Sequence, residues 1–325
     1  MRTGPTGTRR LRAPLAIALT LVVGAAVLTA AGSALASPSR YVLLKCDPEL
    51  PGGGVEGATF HGSPPFTGAQ NCAEPNGSMF VVQQGDATTG FAYWSLPLPP
   101  PPGGFVETVT VTGSMCNGTY QDAGTVAYAV QGGWALNCAT QTHTFALNSP
   151  TGSPGLIYLG CEGSCRGAPE AWAASFAAVE VDPVAPKVTA LDGGLITDSP
   201  ARGHQTLSAL AEDEGGGVAN LALRVNGQPL GSNQPTECST VWVTNPSYIG
   251  VVATRPTPCP PKAEASWTVN TAVYPFQEGA NTVSVCAQDF STGGEPNEGC
   301  ASHTVLVDNS CAESPQARAE SVNVS

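Results

Sequence analysis

The chain has 325 residues, of which 42% are hydrophobic and 12% charged, with 38 glycines, 29 prolines and 11 cysteines. Its apolar content is enough to fill cores, which excludes a disordered polymer. Acids outnumber bases 25 to 13, which excludes the cationic surface that nucleic acid or anionic lipid would need.

The first segment reads as an address. Arg9-Arg10-Leu11-Arg12 precedes an uncharged Ala/Leu/Val stretch from Ala13 to Ala31, and Ala34-Leu35-Ala36 supplies a small-x-small site before Ser37. That order predicts a signal peptide over 1–36, cleaved to leave a secreted chain without a membrane anchor. The remaining 289 residues then carry 9 bases against 25 acids. In an exported chain the eleven cysteines read as a disulfide framework. Six lie before residue 183 and five after it, as expected of two separately stapled domains. The expected pairs are Cys46–Cys72, Cys116–Cys138, Cys161–Cys165, Cys238–Cys259 and Cys286–Cys300, with Cys311 unpaired. Zinc would need four grouped soft ligands, whereas Cys161-x3-Cys165 stands alone.

Residues 37–183 are expected to form the first domain. Its candidate strands are Tyr41–Cys46, Met79–Gln84, Phe91–Leu98, Phe105–Met115, Thr125–Gln131, His143–Leu147, Gly155–Leu159 and Glu170–Val181. Gly, Pro, Asn and Ser clusters separate them, the spacing of an all-β jelly-roll or concanavalin-like sandwich. Period two puts Trp94, Leu96 and Leu98 on one face, and Val126, Tyr128 and Val130 on another. Pro97 removes a ladder donor and predicts an edge position. Trp172, Phe176 and Val179 are at helical spacing behind Pro169, but Val179 and Val181 alternate into the linker, so the segment is assigned as a strand in its C-terminal half. Leu96–Gly104, with five prolines, reads as a stiff connection between strands.

Pro183 and Pro186 make a short, stiff linker into a second domain over 184–309, followed by a polar tail over 310–325. Thr206–Ala211, Leu221–Val225, Thr240–Val243, Ser266–Val269, Thr282–Ala287 and Thr304–Val307 alternate apolar with polar. Asn226-Gly227 is a hairpin signal, because both turn positions need positive φ. Cys286 and Cys300 would staple one hairpin, and Cys238 and Cys259 would brace a proline-rich insertion.

Three stretches carry a resemblance. They are Asp182-x-x-Ala185-Pro186-x-Val188, the run from Leu221 to Leu230, and Gly279-Ala-Asn-Thr-Val-Ser-Val-Cys-Ala-Gln-Asp289. Together they resemble a bacterial immunoglobulin-like repeat over residues 182–309. The resemblance implies a second β-sandwich serving as spacer or adhesive module, with no chemistry of its own. The chain departs from that pattern in its cysteine-bracketed insertion and its Ser291–Gly299 turn. As a whole it resembles secreted actinobacterial proteins in which a jelly-roll-like domain precedes such a repeat.

Candidate chemistry is sparse. His61, His143, His204 and His303 sit in no metalloprotease motif, no serine occupies G-x-S-x-G, and no catalytic residue is assigned. Glu180 and Asp182 share a strand face, but Ala185 stands where a sandwich glucanase would carry a third acid, so they are read as a solvated strand end. Glu212, Asp213 and Glu214, followed by three glycines, read as an acidic turn. They are also a calcium candidate, completed by Asp192, Asp198 or Asp289. Tyr93, Tyr120 and Trp134 are candidates for a glycan platform, while Trp94, Trp172 and Trp267 are assigned to cores. The expected function is a secreted or envelope-associated, non-enzymatic binding module with no organic cofactor. Its expected partner is a polysaccharide or other cell-envelope component rather than nucleic acid or membrane. The alternatives are a sandwich-fold carbohydrate-active hydrolase or a passive spacer.

Overall fold

The computed structural model describes residues 38–310, apart from 117–121, 128–129, 134–137, 150–152, 166–169, 232 and 246–247. The fold is all-β. The first part of the chain forms β1 (Ser39–Lys45), β2 (Thr59–His61), β3 (Phe66–Gln70), β4 (Met79–Gln83), β5 (Ala87–Leu98), β6 (Phe105–Cys116), β7 (Asp122–Ala127), β8 (Val130–Gly133), β9 (Gln141–Ser149), β10 (Ser153–Cys165) and β11 (Glu170–Asp182). One sheet is built around β11, which pairs with β1, β4 and β6; the facing sheet runs β2-β5-β10-β7-β8. Alternating side chains such as Leu43, Val81, Val109, Leu96 and Ile157 meet between the sheets in an apolar core.

The second part forms β12 (Lys187–Asp192), a one-turn helix α1 (Gly194–Thr197), β13 (His204–Glu212), β14 (Val218–Val225), β15 (Gln228–Pro229), β16 (Gln234–Pro235), β17 (Thr240–Asn245), β18 (Tyr248–Ala253), β19 (Lys262–Asn270), β20 (Gly279–Asp289) and β21 (Glu298–Val307). A three-stranded sheet, β12-β13-β19, packs on β15-β14-β20-β21 over a core that includes Leu207, Leu221, Leu223, Trp267 and Val285. Asn226 and Gly227 turn the β14–β15 hairpin with φ of 51° and 80°. Asn226 also anchors the turn, donating from Nδ2 to Asn281 Oδ1 at 2.8 Å and accepting the Thr282 amide at 2.9 Å.

Three expectations need correction. Thr240–Val243 was expected within the second sandwich. Instead the β17–β18 hairpin extends the first sheet, with Leu43 of β1 opposite Ala253 in parallel register. The reason is burial: Val243 and Val252 close over Val42, Leu44 and Ala177 in a small core of their own. Each such buried aliphatic side chain is worth about 1.5–3 kcal/mol. The edge expectation at Pro97 holds locally: β5 lies between β2 and β10, but Pro97 pairs only with Pro154 of β10. β2 stops opposite Ser95, so no ladder bond toward it is lost at Pro97. Thr125–Gln131 divides into β7 and β8, paired as a hairpin. Trp172 is not a core residue. Ala171 and Ala173 take the inward positions of β11, and period two turns Trp172 outward.

Disulfides join Cys46 to Cys72, Cys238 to Cys259, and Cys286 to Cys300 directly across the β20–β21 ladder. Cys138 is also disulfide-bonded. The side chains of Cys116, Cys161 and Cys165, and the whole of Cys311, lie outside the described residues. The described residues of both sandwiches belong to one compact unit, so the change of sandwich at residues 182–187 is not a separation.

Candidate functional site

Two places gather polar or aromatic chemistry. The first is the junction between the sandwiches, built on the end of β11. Period two gives Glu180 and Asp182 one face, and register sets Tyr41 opposite Glu180 and Ser39 opposite Asp182. From the second sandwich, the turn after β13 brings Asp213 and Gly215-Gly216, while the end of β20 and the following turn bring Asp289 and Asn297. A Cβ on Gly215 would collide with the Asp182 carboxylate, so glycine is what lets the turn approach.

Asp182 accepts the Gly216 amide on Oδ2 at 2.6 Å and the Val184 amide on Oδ1 at 2.9 Å. Asp289 Oδ1 accepts Ser39 Oγ–H at 2.6 Å and the Asn297 amide at 2.8 Å, and its Oδ2 accepts Asn297 Nδ2–H at 2.8 Å. Asn297 also donates to the Asp182 carbonyl at 2.9 Å, tying the sandwiches together. Asp213 Oδ1 takes the Gly215 amide at 3.3 Å; its Oδ2 is buried with no hydrogen-bond partner. Tyr41 donates from its hydroxyl to the Pro256 carbonyl and packs edge-on against Phe290.

These acids are closed to water: Glu180 and Asp182 are 0% exposed, Asp289 2% and Asp213 4%. Burial raises the Glu180 carboxyl to about 9, so it is protonated at neutral pH. Burial, with the charge of Asp182, raises Asp213 to about 6 against the pull of the Gly215, Gly217 and Glu214 amides. Burial raises Asp289 to about 7, although its hydrogen bonds from Ser39 and Asn297 pull it down. Asp182 is raised for the same reason, with the Gly216 and Val184 amides opposing. Tyr41 is held up by burial and by all four carboxyl groups around it.

The second place is on the outer face of the first sandwich. Phe80 of β4 stands opposite Trp172 of β11, and with Glu170, Asn76 and Ser78 they line an open groove of about 280 Å³. On the facing sheet, Tyr93 stacks on His61 at 4.7 Å between centroids and lies 5.5 Å from the exposed Phe91. Tyr120 and Trp134 lie outside the described residues. Trp267 is in the core as expected, and Trp94 packs at its margin, donating from Nε1 to the Phe80 carbonyl at 2.9 Å.

The structure therefore redistributes the acids named from sequence. Asp182 and Glu180 are not a solvated strand end, because the second sandwich closes over them. Of the acidic turn only Asp213 points inward; Glu212 pairs with Lys262 at 2.7 Å and Glu214 is exposed. Of the completing candidates, Asp289 joins it, while Asp192 and Asp198 are exposed. Phe80 was not singled out, yet the alternation with inward Met79 and Val81 already turned it outward.

No family model matches the chain, and no curated protein matches it. Among solved structures it is similar to the Spr0440 glycoside hydrolase domain, Endo-D, from Streptococcus pneumoniae R6, at 11% identity and a TM-score of 0.25. That alignment covers 77% of this chain and 37% of the other, so the chain spans well under half of that structure's length.

Proposed function

We propose that this is an exported, non-enzymatic module that binds a polysaccharide or another carbohydrate of the cell envelope through the Phe80–Trp172 groove. The groove carries the reading: two aromatic side chains at opposite positions of paired strands line it, together with a carboxylate, an amide and a hydroxyl. Sugar rings offer flat C–H faces for stacking and hydroxyls for hydrogen bonding, and such a surface meets both. Disulfides at three places support an oxidising compartment. Among the described residues no helix is long and apolar enough to cross a membrane. Against the hydrolase alternative, Glu180 and Asp182 are sealed from any sugar.

The test is co-sedimentation of the oxidised protein with insoluble polysaccharides and bacterial cell walls. Saturable binding is expected, weakened at least tenfold in Trp172→Ala and further in the Phe80→Ala/Trp172→Ala pair, with the melting temperature little changed. Parent-like binding by the double variant, or no binding to any matrix, would move the assignment to a spacer.

A further inference from the structure

The junction gathers three aspartates that form no ion pair among the described residues. Asp182, Asp213 and Asp289 each bring one oxygen within 4.8 Å of the others. Oxygens on a single calcium ion, at about 2.3–2.6 Å from it, lie up to roughly 5 Å apart, so this spacing fits one coordination sphere. Among the described residues, the ion pairs are Arg40–Glu107, Arg202–Asp308, Arg224–Glu298 and Lys262–Glu212, and none involves these three acids.

A second, independent observation points to a ligand. Asp213 is 96% buried, and its Oδ2 finds no donor although its carboxylate is aimed at the other two. Buried polar atoms in folded proteins are almost always satisfied, so an unpartnered oxygen on a carboxylate that converges with two others points to a ligand there. The remaining oxygens are held in place by the Gly216 and Val184 amides, Ser39 and Asn297, as outer-shell groups hold metal ligands. A cavity of about 190 Å³ lies beside the cluster, lined by Asp213 with Val184, Lys187, Glu212 and Gly215.

We propose that Asp182, Asp213 and Asp289 bind one hard divalent cation, with calcium the ion their chemistry suits, and that this ion clamps the two sandwiches together. The three protein donors are all carboxylate oxygens, and calcium's flexible shell accepts water or carbonyl oxygens in its remaining positions. Magnesium keeps several waters and demands a near-octahedral site. Asp182 belongs to the first sandwich, Asp213 and Asp289 to the second, so occupancy joins them directly.

The experiment is calorimetric titration of the oxidised, EDTA-treated protein with calcium chloride and with magnesium chloride, alongside melting curves. One calcium site per chain is expected, filled by about 1 mM, with weaker magnesium binding. Calcium at about a hundred times its dissociation constant should raise the melting temperature by roughly 5 °C or more. Asp213→Asn, which breaks no hydrogen bond at Oδ2, should lose calcium affinity at least tenfold while melting no lower than the metal-free parent. Glu212→Gln and Glu214→Gln should bind as the parent does. No heat and no thermal shift for the parent overturns the site. So does unchanged binding by Asp213→Asn, or loss of binding in Glu214→Gln, which would place the ion on the exposed turn.

Discussion

The core of the second sandwich and the junction that joins it to the first are equally closed to water, yet they are filled with opposite chemistry. The core is Leu, Val, Ala, Phe and Trp, and its stability comes from apolar burial that needs nothing from solution. The junction buries Ser39, Glu180, Asp182, Asp213, Asp289 and Asn297. A buried acid is stable only when protonated, hydrogen-bonded or paired with a positive charge. One interior is therefore indifferent to pH and ions, and the other depends on both.

The largest effect that separates them is in the core. Trp267→Ala should cost about 3–5 kcal/mol in chemical denaturation, with the same loss at pH 5 and pH 8 and with or without chelator. A loss that varied with pH would show that the two interiors are not independent.

Next comes the pH response of the junction itself. The folded values of Asp213, Asp289 and Glu180, about 6, 7 and 9, lie above the unfolded ones, so the folded state holds more protons. Their stabilising contribution is complete below about pH 4 and is lost as pH rises through those values. In chelator the melting temperature should fall steadily between pH 4.5 and pH 8. A flat or rising curve would contradict the buried, uncompensated arrangement.

The smallest is steric. Gly215→Ala places a methyl against the Asp182 carboxylate and should cost about 1–3 kcal/mol. Gly227→Ala, where nothing lies within 4 Å, is strained only by its φ of 80° and serves as the comparison. If Gly215→Ala is neutral while Gly227→Ala is not, backbone conformation rather than close approach governs these turns.

Much of the fold was legible because strands announce themselves locally. Period-two alternation located β1, β6, β9, β13, β14 and β20 to within a few residues, and Asn226-Gly227 its hairpin. β2 and β3 were missed: Thr59–His61 is only three residues long, and Phe66–Gln70 carries one buried side chain. The site was legible in fragments. Glu180 and Asp182 were placed on one face, Asp213 was in the acidic turn, and Asp289 was among its possible complements. Trp172 fell in the half of its segment that keeps helical spacing and was assigned inward by its size, whereas β11 runs through it and the two alanines beside it occupy the core.

By itself, the amino-acid sequence determined the class of fold, the turn at Asn226-Gly227 and the faces of individual strands, because backbone sterics and side-chain alternation act between near neighbours. Only the tertiary structure decided that β17 and β18 leave their own sandwich for β1, and that Asp182, Asp213 and Asp289 converge. Those meetings join residues far apart in the chain. They are selected by apolar burial summed over the whole molecule, and no local pattern encodes which distant surface a strand or a carboxylate will meet.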